Sequence, residues 1–309
     1  VTSSIDFENQ AAIARLTCGW KKPQLPIEFV RRYWRDVHSP AIARRAGLWE
    51  YRHSQFAAVK SDLFAAVPGL GYACAADQQL MWLSDVRYAD QAGLDAFGLS
   101  PGGEAKANLL ADIELIVDQS STYKSVGVDA HTLVDTTGNP TPQGAALPSS
   151  YAVFFRQHGD REKDLHQTVR GLAHRWAGMP GVMRLRMHIF EAPDMEAEKR
   201  GGYPIKTHPR ELQYQAWIDL VLADDAVAKN LITPTDGTDY SSIGEVHAYP
   251  VDNLYTFNYG GRPTLVGLRG FCAYEAISKF DAANQRQAAL LEWMFGAVAT
   301  GGPVEGPAQ

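Results

Sequence analysis

Three sets of side chains in this 309-residue chain have types and spacings that could do chemistry. The first is histidine. His38 lies one turn after Trp34, at the flank of a stripe formed by Ile27, Val30, Trp34, Val37 and Ala41 at helical spacing. An imidazole at the edge of such a stripe can take or give a proton near neutral pH, as a general acid or base must. Its plainer use is to satisfy a local backbone group ahead of Pro40. His53 closes the alternation Trp49, Tyr51, His53, which on a strand shares one face. That face would offer two aromatic surfaces and an imidazole to a planar substrate, or would simply fill core volume.

The second set is Arg184, Arg186 and His188, which alternate with Met183, Leu185, Met187 and Ile189. Guanidinium groups at roughly 7 Å spacing along a strand repel one another unless an anion sits between them. Two answers are open. Carboxylates from elsewhere in the chain could pair with them across a domain interface. Alternatively, a substrate carboxylate could be gripped by two-pronged hydrogen bonds. The third set is weaker: His166 flanks the stripe Leu165, Val169, Leu172, Trp176, while His174 points away from it. Tyr203, Lys206 and His208 lie in a glycine-hinged loop that suits either a lid or a surface connection.

The elements that must position these groups repeat. In the first half, residues 12–20 read as a strand, and Pro26 opens a helix ending at Gly47. Strands follow at 48–59 and 79–86, then a helix over 105–117. In the second half a strand at 151–157 precedes a helix over 163–178. Strands at 181–192 and 214–223 lead to a helical patch at 224–232. Both halves therefore read β-α-β-loop-β-α, each finished by a further strand. The expected fold is α+β: two ferredoxin-like β-α-β-β-α-β units packed as an intramolecular α/β-barrel, plus a C-terminal helix. The expected divisions are a first unit at 1–128, a linker at 129–149, a second unit at 150–266 and a helical extension at 267–309. The linker rests on Pro140, Pro142, Pro148, Gly138 and Gly144, which interrupt both periodicities. The extension's helix, Tyr274 to Phe295, has an apolar face that must pack on its own barrel or on a second copy of the chain.

Composition removes several function classes. Hydrophobic residues make up 45% and charged residues 21%, enough to build a packed core and too apolar for a disordered chain. Lys plus Arg total 29 against 35 for Asp plus Glu, so the surplus that nucleic-acid binding requires is missing. No apolar run is long enough to span a bilayer, and no polybasic cluster marks a membrane anchor. Cys18, Cys74 and Cys272 are too scattered for a disulfide framework or a zinc site, and the reducing cytoplasm is the expected home. No dinucleotide fingerprint, P-loop, HExxH, GxSxG or CxxC occurs. His, Arg and aromatic residues are left to do any chemistry.

The run Phe29-Val-Arg-Arg-Tyr-Trp-Arg-Asp-Val-His-Ser-Pro40 resembles the EthD-like family of the dimeric α/β-barrel superfamily. Tyr33, Trp34, His38 and Pro40 carry the match, over about the first 100 residues; the second half follows by element order alone. The resemblance implies a pocket between sheet and helices, no cofactor, and a small aromatic or polyketide-like substrate. The expected reaction is that of a lyase, decarboxylation of a small aromatic or unsaturated acid. Trp34, Trp49, Tyr51 and Tyr203 would line the ring. Arg184, Arg186, His188 and His166 would bind the substrate, and His38 or His53 would protonate carbon. The alternatives are a cofactor-free or haem-dependent monooxygenase, isomerase or cyclase on the same fold, or a non-catalytic carrier.

Overall fold

The computed structural model describes residues 4–191 and 206–296. The first unit comprises α1 (Ser4–Glu8), β1 (Ile13–Lys21), α2 (Ile27–Tyr33), a π-helical turn (Trp34–His38), α3 (Ser39–Ala43) and β2 (Glu50–Phe56). It continues through β3 (Trp82–Tyr88), α4 (Gln91–Leu99), α5 (Gly103–Ile116) and β4 (Val117–Val126). Two short strands follow, β5 (Thr132–Asp135) and β6 (Gln143–Ala145), in the stretch expected to be a structureless linker. They form because each finds a partner outside the stretch: β5 on the first-helix crossover strand of the second unit, β6 on its last strand. The second unit holds β7 (Ser150–Gln157), α6 (Glu162–Ala177), β8 (Val182–Ile189), β9 (Lys206–Thr207), β10 (Ala216–Leu222) and β11 (Ile243–Tyr259). After β12 (Arg262–Pro263) come α7 (Leu265–Arg269), α8 (Phe271–Lys279) and α9 (Ala288–Phe295). The single helix expected over Tyr274–Phe295 is thus two, separated at Asp281, whose φ is +47°.

The strands form one continuous sheet in the order β5-β8-β10-β7-β11-β2-β3-β1-β4-β9. Within each unit the order is second, third, first, fourth, the antiparallel arrangement of a ferredoxin-like unit. One strand joins the units. Residues 243–250 of β11 pair with β7, and residues 251–258 pair with β2. Pro250 stands at the changeover, where a missing N–H is tolerated because the ladder is already interrupted by a register shift beside it.

The two units face each other across an interior with two characters. Leu16, Cys18, Trp20, Phe56 and Leu83 of the first unit meet Phe154, Trp217 and Tyr249 of the second in an apolar, aromatic layer. Beside it lies a buried ion network. Arg186 donates to Asp85 at 2.9 Å, to Glu8 at 2.8 Å and to Glu50 at 2.9 Å. Arg184 engages Glu8 at 3.1 Å, Asp219 at 3.0 Å and Asp135. Arg52 bonds Glu8 at 2.8 Å and Arg87 bonds Glu50 at 3.2 Å. Burial alone would raise the Glu8 carboxyl, but Arg184, Arg186 and Arg52 outweigh it and hold Glu8 well below the usual carboxylate range. In contrast, burial prevails at Asp85 and pushes its carboxyl up. On the outer face, helices cover each half of the sheet. No helix among the described residues is long and apolar enough to cross a membrane.

Candidate active site

The helix that crosses from β1 to β2 is regular only to Tyr33. The Ser39 N–H then reaches back five residues to the Trp34 carbonyl, closing a π turn over Trp34–His38. Such a turn contains one residue more than an α turn and rotates everything after it around the helix axis. The stripe expected from the sequence is shifted as a result. Val37 is 49% exposed, and His38 takes its place under the helix at 3%. Pro40 favours this local arrangement, since it has no N–H to return to the Asp36 carbonyl four residues back. Asp36 is used elsewhere: its Oδ1 accepts from the backbone of Phe271 at 2.9 Å and Cys272 at 3.1 Å, capping α8.

An indole and a carboxylate lie directly against the turned-in imidazole. The His38 ring lies 4.3 Å from Trp34 between centroids, and Trp34 lies 5.1 Å from Trp82. Trp82 can lie flat on β1 because the neighbouring residue is Gly19; a Cβ there would sit 2.1 Å from the indole. His38 Nδ1 is 3.4 Å from Asp112 Oδ2, a long hydrogen bond. Tyr33 donates its hydroxyl to the other oxygen of the same carboxylate. The hydrogen bond with His38 is the leading cause that holds Asp112 below the ordinary carboxylate range; Tyr33 adds to it against partial burial. A carboxylate on Nδ1 fixes the ring's orientation and leaves Nε2 as the proton acceptor, the logic of a base with an orienting partner.

From the sheet side, β2 presents Tyr51 and His53 to this group. Tyr51 and Ser39 share a hydroxyl–hydroxyl hydrogen bond at 2.8 Å. The His53 ring stacks 6.0 Å from Trp34, and its Nδ1 is 3.3 Å from Ser84 Oγ. Burial, followed by the charges of His38 and Arg31, lowers His53 to about 3. His53 is therefore neutral under ordinary conditions and cannot donate as an imidazolium.

The other residues expected in a site go elsewhere. Trp49 precedes β2 and packs on Phe7 at 5.1 Å, away from His53. Arg184, Arg186 and His188 do share a face, as the alternation predicts. That face is the interior, and their charges are met by carboxylates of the protein rather than left for a substrate. His188 stacks on Trp217 at 4.7 Å and lies 3.8 Å from Asp85. Burial, then Arg87 and Arg186, lower it well below the usual histidine range. His166 sits half-buried on α6 with Glu162 at 3.9 Å, on the second unit's outer face. Tyr203 lies outside the described residues.

Asp112, Trp82 and Ser84 were not singled out by sequence reasoning. Asp112 carried a signal: it falls on the same side of α5 as Leu109, Ile113 and Ile116, which pack inward. A carboxylate on an apolar stripe needs a partner.

Next to this group, a cavity of about 430 Å³ opens between α2 and the strands β2 and β11. Glu28, Phe29, Arg31, Arg32 and Arg35 form its helix wall; Gln55, Asn253 and Tyr255 form its floor. A second cavity of about 480 Å³ lies on the other unit, between α6 and residues 238–242. Neither has a histidine in its wall, so neither of these two cavities fits a haem held by an axial imidazole. Among the described residues, no three His, Cys, Asp or Glu side chains are grouped to hold a metal ion.

No family model matches the chain, and no curated protein matches it. Solved structures with similar backbones do exist. One is a protein provisionally assigned as a monooxygenase from Fusobacterium nucleatum, 8% identical, covering 82% of this chain and 97% of its own, with a TM-score of 0.43. Another is an anthrone oxidase-like protein, 11% identical, covering 82% and 95%, with a TM-score of 0.46. Chlorite dismutase from Candidatus Nitrospira defluvii is 8% identical, covering 79% and 95%, with a TM-score of 0.34. At this level of likeness none of them assigns a family or a reaction.

Proposed function

We propose that the chain is a small-molecule enzyme that starts its reaction by removing a proton from a planar, acidic aromatic substrate. His38 is the base, Asp112 orients it, and Trp34, Trp82 and Tyr51 supply the flat walls. The observation that carries this is the π turn, which sets His38 against Asp112 beneath the helix at a place where regular spacing would have put Val37. Wide turns of this kind recur at functional sites, since they aim a side chain at the expense of regular backbone bonding. The EthD-like resemblance, through Tyr33, Trp34, His38 and Pro40, agrees with this location.

Of the reactions open to such a site, cofactor-free monooxygenation is the one we favour. Deprotonating a CH2 group flanked by aromatic rings and a carbonyl gives an electron-rich anion, which can pass electrons to O2 and combine with it. Loss of water from the resulting hydroperoxide leaves C=O where CH2 stood, with one oxygen atom in the product and the other in water. The substrate supplies all four electrons, so no external reductant enters the balance. Decarboxylation, the reaction expected from the sequence, asks a histidine to deliver a proton to carbon. His53, held neutral, is poorly suited to that step, which leaves His38 alone to serve it and places the lyase reading second.

The test is incubation with hydroxylated anthrone-type compounds under 18O2, followed by mass spectrometry. A gain of one labelled oxygen with loss of two hydrogens is expected. His38→Gln should lower the rate by roughly 10²–10⁴-fold, the usual worth of a positioned base. Full activity in His38→Gln, or loss of carbon dioxide in place of oxygen gain, would overturn the reading.

A further inference from the structure

The arginine-lined cavity beside His53 has no role in the proton transfer just described, and its chemistry is distinctive. Three guanidinium groups face one carboxylate, Glu28, in the wall of a concavity on a chain whose net charge is −6. Asp252 and Asp36 stand just behind the wall on Arg31 and Arg35, so among the described residues the charge that no carboxylate meets is that of Arg32, and an unmet cation in a concavity attracts anions. The three arginines are not equivalent. Arg35 is spent on Asp36, through Nε at 3.2 Å and an η nitrogen at 2.6 Å. Arg31 uses its η nitrogens on Glu28 at 3.3 Å, Asp252 at 3.1 Å and the Phe56 carbonyl at 2.5 Å. Its Nε is buried without a hydrogen-bond partner, an omission that costs free energy unless a ligand fills it. Arg32 is exposed and makes no hydrogen bond or ion pair among the described residues. Phe29 and Tyr255 supply apolar ring surface to the same space.

The cavity lies beside the candidate active site. Tyr255 lies directly opposite His53 in the β2–β11 pairing, and Gln55 follows His53 by two residues on the same face, roughly 7 Å on. Its volume falls in the range of small-molecule sites. We infer that this cavity binds an aromatic carboxylate: Arg32 and the free Nε of Arg31 grip the carboxylate, and Phe29 and Tyr255 hold the ring. The anion clamp that the sequence placed at Arg184 and Arg186 is supplied instead by the helix carrying His38. As the substrate's anchoring point, the cavity rests on the proposed function above; as a binding site it can be measured without any turnover.

The experiment is calorimetric titration of the full chain with 1-naphthoate and with its neutral counterpart 1-naphthamide. Wild type should bind the acid at least tenfold more tightly, and 0.5 M salt should erode that preference. Arg32→Gln, at an exposed position that does not endanger folding, should remove most of the preference; Arg31→Gln should remove a similar part. Arg161→Gln, in the wall of the second unit's cavity, should leave it intact. Equal affinity for acid and amide overturns the proposal. So does a preference that survives both Arg31→Gln and Arg32→Gln, or one that Arg161→Gln abolishes equally. His38→Gln separates the two readings, because it should keep the acid preference. A wild type that selects the acid yet transforms no substrate would sink the reaction and leave the site standing.

Discussion

The two units share one strand order but differ in what lies between helix and sheet. In the second unit α6 is an unbroken helix, and Leu165, Val169, Leu172 and Trp176 lie on Val153, Phe155, Leu185, Met187, Ile218 and Leu220. Trp176 Nε1, buried at its centre, is satisfied by the Leu231 carbonyl at 2.8 Å. In the first unit the corresponding helix is broken by the π turn. Its interface with the sheet then holds His38, His53, Tyr51, Ser39 and Ser84 in place of aliphatic side chains. Dry packing is the cheaper way to join a helix to a sheet, because each buried polar group must find a partner or lose stability. The second unit shows that this fold can be closed that way. The polar alternative in the first unit is therefore a departure from what folding requires, and departures of this kind mark functional sites.

The contrast can be broken first at its dry end. Trp176→Ala should cost about 3–5 kcal/mol in stability, the range for removing a large buried side chain. It should leave the rate per folded molecule unchanged, as read by denaturant titration beside an activity assay. A large loss of rate in the folded variant would mean that the second unit holds part of the site. At the polar end, Asp112→Asn removes the charge that orients His38. A hydrogen bond to a charged group is worth about 1.5–3 kcal/mol, so turnover per folded molecule should fall roughly tenfold to a hundredfold, with a loss of stability no larger than the same amount. An unaltered rate would remove Asp112 from the machinery. The third comparison is in pH. His53 has a folded-state value of about 3, below its unfolded value, so the unfolded chain binds a proton that the folded chain refuses. Its contribution is complete above the unfolded value near pH 6.5 and is lost as pH falls toward 3. By pH 5 the loss should reach about 2 kcal/mol, and His53→Asn should flatten that part of the acid limb. An acid limb identical in wild type and variant would count against the burial described.

Much of the architecture is legible in the sequence because it rests on local alternation. The strand through Tyr51 and His53, the strand through Arg184 and Arg186, and the helix with Leu165, Val169, Leu172 and Trp176 all follow from periodicity and lie where it puts them. The inward turn of His38 is not legible. One inserted residue in a helix changes no residue type; it changes only the phase of everything after it, so a reading at constant 3.6-residue spacing buries Val37. Partners distant in sequence are hidden for a different reason. Alternation shows that Arg184 and Arg186 share a face, yet their principal acceptor is Glu8, on the short N-terminal helix α1, which no pattern announced. The position of Asp112 among inward-facing apolar residues could have been read, and its partner could not.

The shared strand β11 has a consequence for how the chain is made. Its residues 251–258 complete the pairing of β2, a strand formed from residues 50–56, so some two hundred residues of chain separate the partners. Pairings this remote form late, since the loop they close is long and its entropy must be overcome first. During synthesis, the first unit emerges with β2 as an open sheet edge and waits for the remainder. An open edge invites pairing with other chains. The two units are therefore completed together only once β11 has emerged, and the first unit produced alone should be prone to aggregate.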